Sequence, residues 1–341
     1  MEISRSKVKV IEIAFKIIIP WGRKIFFIYI LIISSIIGLI INRIIILWVL
    51  IEINLLVFIP IISLEKNFRI LGIKYFLIQV LGSIFLLVSI LFLILFNYST
   101  LINFFLLIRI LWKRGTPPFQ FWFFHLIINL DWINFFILSR WQKILPFYFL
   151  SLINFIFWEL IIITILIVVI FGSYLQSRVK KILVYSSIFT SAWIFSSIIY
   201  FFYIWIFLLS IYRFLIYSII IFLYVEKINI KENLNFFKIS QINKILNLIL
   251  FLRIIGIPPL TGFLIKIIVL IILIINNLFL LRIILIFCSI FIIYIYILIF
   301  LSALVFRFPR NKFIVNIINY NSLIYILILT ILGNLSFLRL I

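Results

Sequence analysis

The chain has 341 residues, 67% of them hydrophobic and 11% charged, with 30 Lys and Arg against 8 Asp and Glu. A soluble globular fold has no surface that could carry that apolar share, so that class is excluded. The net charge of +22 invites a nucleic-acid partner, but the cations are scattered between apolar runs with no basic domain to gather them, so that class is excluded too.

The runs are continuous and do not alternate, which predicts an all-α integral membrane protein and argues against a barrel. A lone cysteine, Cys288, excludes an intrachain disulfide framework, and a lone histidine, His125, excludes a multi-histidine metal site. We therefore expect no metal and no cofactor bound by this chain.

Residues 1–24 mix Ser, Lys and Arg with apolar residues. A cleaved transit peptide, an interfacial amphipathic helix or an upstream extension of the reading frame each fit, and Glu2 and Glu12 speak against the first. We treat 1–24 as an N-terminal extension and 25–341 as the transmembrane domain.

Length and breaker residues predict about eleven spans, at 25–41, 44–62, 74–96, 100–124, 132–150, 155–171, 180–197, 199–224, 241–275, 279–305 and 318–340. Cations concentrate in the N-terminal segment and in even-numbered loops, as at Lys66, Arg69 and Lys74, or Arg178, Lys180 and Lys181. The positive-inside rule then puts the N-terminus inside and the C-terminus outside.

Two of these spans are interrupted. "WKRGTPPFQFWFF" (112–124) carries Gly115, Pro117 and Pro118, and "RIIGIPPLTGFLIK" (253–266) carries Gly256, Pro258 and Pro259. Proline lacks an N–H and clashes with the preceding turn, freeing carbonyls that lipid cannot satisfy. The breaks fall in the fourth and ninth expected spans, and an offset of five reverses direction across the membrane. That predicts two inverted five-helix repeats with a broken helix in each, a pattern that points to a transport site.

Ionisable groups at membrane depth cost roughly 2.5–3.5 kcal/mol each and so pair or line water. Glu52 lies mid-span in "VLIEINLLVFIP", Lys113 abuts the first break, Lys143 sits in "SRWQKILP", and Lys266 follows the second proline pair. Burial favours a neutral lysine and a nearby carboxylate favours a charged one, so a Glu–Lys pair that parts and re-forms loads and releases a proton. For Arg114, Arg140 and Arg253, which keep their protons, we expect snorkelling to the interface. Glu159 is expected in the first turn of a span, facing the helix dipole. His125 and Asp131 are read as interfacial.

The segments "LIEINLLVFIPII", "WKRGTPPFQFWF", "WQKILP", "KKILVYSSI" and "GIPPLTGFLIK", in this order, resemble the antiporter-like membrane subunits of mitochondrial NADH–ubiquinone oxidoreductase, respiratory complex I. The resemblance covers most of the chain from about Trp21 onward. It implies a proton-translocating subunit of a multi-subunit enzyme in the mitochondrial inner membrane, with a final helix after the two repeats. By the resemblance, Glu52 and Lys113 form the ion pair, Lys143 relays protons and Lys266 stands on the outward leg. NADH, FMN, Fe–S clusters and ubiquinone are implied for partner subunits, other complex I membrane subunits and lipid being the partners of this chain. Three positions depart from the family's "PFHFWFPE": Gln120 for histidine, Phe124 for proline and His125 for the acidic residue. Thr190 stands where a histidine usually follows "YSSI". A stand-alone cation/proton antiporter and a structural spacer without its own proton path remain as rival readings.

Overall fold

A computed structural model describes residues 22–63, 69–95, 100–153, 158–174, 176, 178–198, 204–225, 249–258 and 260–305. The expected span 318–340, the extension up to residue 21 and Pro259 lie outside the described residues. Those described form helices and turns: α1 Gly22–Ile40, α2 Ile44–Ser63, α3 Arg69–Leu95, α4 Thr100–Arg114, α5 Phe121–Asn129, α6 Trp132–Phe136, α7 Ile144–Ser151, α8 Trp158–Tyr174, α9 Val179–Ile198 and α10 Ile204–Val225. They are followed by α11 at 249–255, then α12 Gly262–Ile275 and α13 Phe279–Val305. Among the described residues, six helices are long and apolar enough to cross a membrane: α1, α2, α3, α9, α10 and α13.

The helices fall into two compact units. The first takes the chain up to Arg114 together with Trp141–Ile153, and the second takes Gly115–Arg140 and everything from Asn154. In the first unit α2 and α3 pack together, α4 packs on α3, and α7 rests on both α2 and α4. Gly82 makes the α3–α4 approach close, since a Cβ there would stand 3.0 Å from Trp112 Cδ1 and 3.3 Å from Lys113 Cγ. Small residues at helix contacts serve this purpose in membranes, where close packing replaces hydrophobic burial.

In the second unit α9 is the central helix, with α5, α8, α10 and α12 against it. It is also rich in hydroxyls, which a buried helix must satisfy internally. Ser186, Ser187, Thr190, Ser191, Ser196 and Ser197 each donate to the carbonyl three residues back, at 2.5 to 3.2 Å. Closing those bonds within one turn leaves α9 free to pack on all sides.

Helices stop on either side of both proline-containing segments: α4 ends at Arg114 and α5 starts at Phe121, while α11 ends at 255 and α12 starts at Gly262. Gly115 has φ +60° and Gly256 has φ +75°, the left-handed region that an L side chain enters only at a cost. At the second break the Gly256 N–H donates to Arg253 O at 3.2 Å and the Ile257 N–H to Leu252 O at 3.5 Å, the Schellman pattern that ends a helix on glycine.

Several boundaries differ from expectation; α3 starts at Arg69 and not at 74, which places Arg69 and Lys74 on the helix. The arm after the first break runs on to Asn129, past the expected end at 124, because "FWFFHLIIN" holds no further breaker. The expected continuous span 132–150 is instead α6, a π-helical turn at Ile137–Trp141 and α7. Pro146 stands in the first turn of α7, with no N–H to offer the Gln142 carbonyl, but nothing within Ile137–Trp141 itself marks the π-helical turn, and hydropathy reads straight through it.

Candidate functional site

The sequence-predicted site residues distribute between the units, with Glu52, Lys113 and Lys143 in the first and Lys266 in the second. Lys113 Nζ donates to Glu52 Oε1 at 2.5 Å. The lysine side chain is 2% exposed and the carboxylate 20%, so the lysine is buried and the carboxylate partly so. Hydrogen bonds between ionised partners are stronger than neutral ones.

α4 ends at this pair, and α3 fixes its last turn. Gln79 Nε2 donates to the Lys113 carbonyl at 3.2 Å, and Trp112 Nε1 donates to Ile78 O at 3.2 Å. Lys113 also lies at the helix C-terminus, where the macrodipole favours a cation. Tyr75 on α3 is buried, stacks edge-on to Phe58 with ring centroids 5.4 Å apart, and lies within the field of the Glu52 carboxylate.

Lys143 is buried and its carbonyl accepts from Phe147 N at 3.2 Å at the start of α7. The residues before it pin it in place. Trp141 Nε1 donates to Ser35 Oγ at 3.1 Å and Gln142 Nε2 to Asn54 O at 3.3 Å. Asn54 Oδ1 in turn accepts from Ser34 Oγ at 2.6 Å. The segments "EIN" and "WQK" are thereby tied to each other and to α1 by side-chain hydrogen bonds, one residue of each being the ionisable group.

Lys266 is also buried, in α12 one turn past the second break. Its Nζ faces two aromatic rings of α9, Phe189 at 5.9 Å and Trp193 at 6.0 Å from the centroids. Its stem lies over the break itself, since a Cβ on Gly256 would come within 3.2 Å of Lys266 Cε.

The three arginines expected to snorkel do not. Arg114, Arg140 and Arg253 are 2%, 4% and 2% exposed. The Arg114 guanidinium lies 3.3 Å from the Phe147 ring centroid. Arg140 Nη2 donates to Tyr212 Oη at 3.1 Å, with the guanidinium 4.0 Å from that ring, and Tyr212 Oη donates to Ser186 Oγ at 3.3 Å. A weakly hydrated, planar cation trades water for an aromatic face more readily than an ammonium does.

Lys180, assigned from sequence to a loop, sits in the first turn of α9, buried, donating to Leu130 O and lying 5.1 Å from the Trp132 centroid. Sequence reasoning missed it because a cation beside Arg178 and Lys181 reads as topology. Glu159 does occupy the first turn of α8. His125 is exposed on α5, its carbonyl accepting from Asn129 Nδ2 at 3.1 Å. Phe124 packs on Tyr185 with centroids 4.6 Å apart. Among the described residues, no three or more His, Cys, Asp or Glu side chains gather as a metal site.

The family described as NADH:quinone oxidoreductase/Mrp antiporter, transmembrane, matches residues 42–293. The chain is 31% identical to NADH-ubiquinone oxidoreductase chain 2 of Anopheles gambiae over 240 residues, 64% of this chain and 67% of the relative. It is likewise 31% identical to chain 2 of Pisaster ochraceus over 243 residues, 67% of this chain and 68% of the relative. Its fold matches a chain of respiratory complex I from Thermus thermophilus, with a TM-score of 0.72, 16% identity, and 92% of this chain and 78% of that chain covered.

Proposed function

The chain belongs to the NADH:quinone oxidoreductase/Mrp antiporter transmembrane family, and from that premise we propose that it is the chain 2 subunit of a mitochondrial NADH:ubiquinone oxidoreductase and translocates protons across the inner membrane. The observation that carries this reading is the ion pair between the buried Lys113 and the partly buried Glu52, at the C-terminus of α4. A buried carboxylate and ammonium stabilise each other's charge, so any movement that parts them changes how tightly the lysine holds its proton.

In the proposed cycle, a change arriving from neighbouring subunits shifts the Glu52–Lys113 pairing. Lys143 then relays protons, and Lys266 stands on the outward leg. Oxidation of NADH and reduction of ubiquinone take place at FMN, Fe–S clusters and the quinone site of partner subunits, and this chain contributes electrostatics. The two breaks, each opened by a left-handed glycine, support an architecture of two inverted five-helix repeats plus a final helix. The alternation of cations between loops supports an N-terminus on the matrix side and a C-terminus facing the intermembrane space.

A second reading, a stand-alone cation/proton antiporter, draws on the same family, whose description joins the two activities. The test is native-gel mass spectrometry of the source membranes. Co-migration of this chain with a large assembly that oxidises NADH is the expected result. Migration apart from any NADH-oxidising assembly, with cation-for-proton exchange in the absence of NADH, would replace the first reading with the second.

A further inference from the structure

Lys113 and Lys266 each lie next to a helix break, yet their charges are balanced in different ways. Lys113 has a carboxylate. Among the described residues Lys266 has none nearby: those of α9, α10, α11, α12 and α13 contain no Asp, Glu or His. The elements packed on α12 bring only further cations, Lys180, Lys181, Arg213, Arg253 and Arg282, the thiol of Cys288 and the phenols of tyrosines such as Tyr212 and Tyr296. Even so, Lys266 is 6% exposed.

What faces its ammonium is an aromatic platform. Phe189 and Trp193 are four residues apart on α9, so they share one helix face. Their rings meet edge to face, with centroids 6.2 Å apart and planes at 81°. Both are buried, at 3% and 1% exposure, and Lys266 Nζ stands 5.9 and 6.0 Å from the two centroids. A ring face attracts a cation through its quadrupole, and more strongly when water is excluded. Two polar atoms of the same region, Trp193 Nε1 and Thr261 Oγ1, are buried without a hydrogen-bond partner; Thr261 stands at the start of α12 and Trp193 beneath Lys266.

We infer that Phe189 and Trp193 form a carboxylate-free seat for the Lys266 ammonium and are positioning residues for the proton step that Lys266 carries. Such a seat holds the charged lysine without an ion pair to break. Release therefore does not require a partner carboxylate to move, in contrast to Lys113. The inference rests on the pumping role proposed above for Lys266.

The test is proton pumping per NADH oxidised by the complete, reconstituted complex carrying single substitutions in this chain. Trp193→Phe keeps a ring face and is expected to keep this subunit's share of the translocated protons within about twofold of the parent, whereas Trp193→Leu, which keeps bulk without a ring, is expected to lose about threefold or more of that share. Phe189→Tyr and Phe189→Leu repeat the comparison at the second ring and decide the matter if Trp193→Leu does not assemble. Parent-like pumping by the leucine variants, with Lys266→Ala lacking that share, would overturn the seat and leave the role of Lys266 standing. A phenylalanine at 193 as damaging as a leucine would also overturn it. Parent-like pumping by Lys266→Ala would overturn the lysine's role and the seat together.

Discussion

Lys113 Nζ and Glu52 Oε1 meet at 2.5 Å although 61 positions separate the two residues in the chain. Removing one partner of such a pair leaves a charge buried alone, which costs about 3–5 kcal/mol, whereas removing both costs far less. Glu52→Gln is therefore expected to lower the thermal stability of the assembled complex, and Glu52→Gln with Lys113→Met to restore much of it. This subunit's share of the pumping is expected to be lost in both. Thermal denaturation alongside pumping measurements checks this, and additive destabilisation in the double variant would show that the two residues are not coupled.

Arg114 separates packing from anchoring. A snorkelling arginine tolerates lysine, since either cation reaches the interface. An arginine stacked 3.3 Å from the Phe147 centroid does not, because the ammonium has no plane to lay on the ring. Arg114→Lys is expected to destabilise the protein by about 1–2 kcal/mol, read as a lowered melting temperature. An unchanged melting temperature would return Arg114 to the interface.

The break glycines make a stricter demand. Alanine at Gly115 or Gly256 meets the left-handed penalty of about 1–2 kcal/mol. It also meets a clash, with Phe123 Cβ at 2.5 Å in the first case and Gly262 O at 2.8 Å in the second. Both variants are expected to impair assembly on native gels. Gly22→Ala is the control, with nothing within 4 Å of the added Cβ, and is expected to assemble normally.

Lys143 distinguishes a proton relay from a structural spacer. It is buried, and hydrogen bonds of Trp141 and Gln142 hold the preceding backbone, so the scaffold survives without the ammonium. Lys143→Ala is expected to assemble at near-parent levels and to lose this subunit's share of the pumping. Poor assembly with parent-like pumping per assembled complex would favour the spacer.

Which parts of this arrangement the sequence reveals depends on range. The breaks were legible because proline and glycine act on their own backbone. Glu52 stood out because a short carboxylate in an apolar span has few places to go. Its pairing with Lys113 is implied by family resemblance alone, since nothing local links positions 61 apart. The π-turn at Ile137–Trp141 is not legible, because the one breaker near it, Pro146, lies beyond it in the first turn of α7. The burial of Arg114, Arg140 and Arg253, the inward turn of Lys180 and the aromatic seat under Lys266 all depend on which helices become neighbours. The spacing of Phe189 and Trp193 puts them on one face of α9, but does not say which cation lies over it.

The most direct test of the central claim is the number of protons translocated per NADH by the assembled complex carrying Lys113→Ala. The account predicts that NADH oxidation persists in an intact assembly while this subunit's share of the translocated protons is missing. An assembled Lys113→Ala complex with the full parent stoichiometry would contradict it.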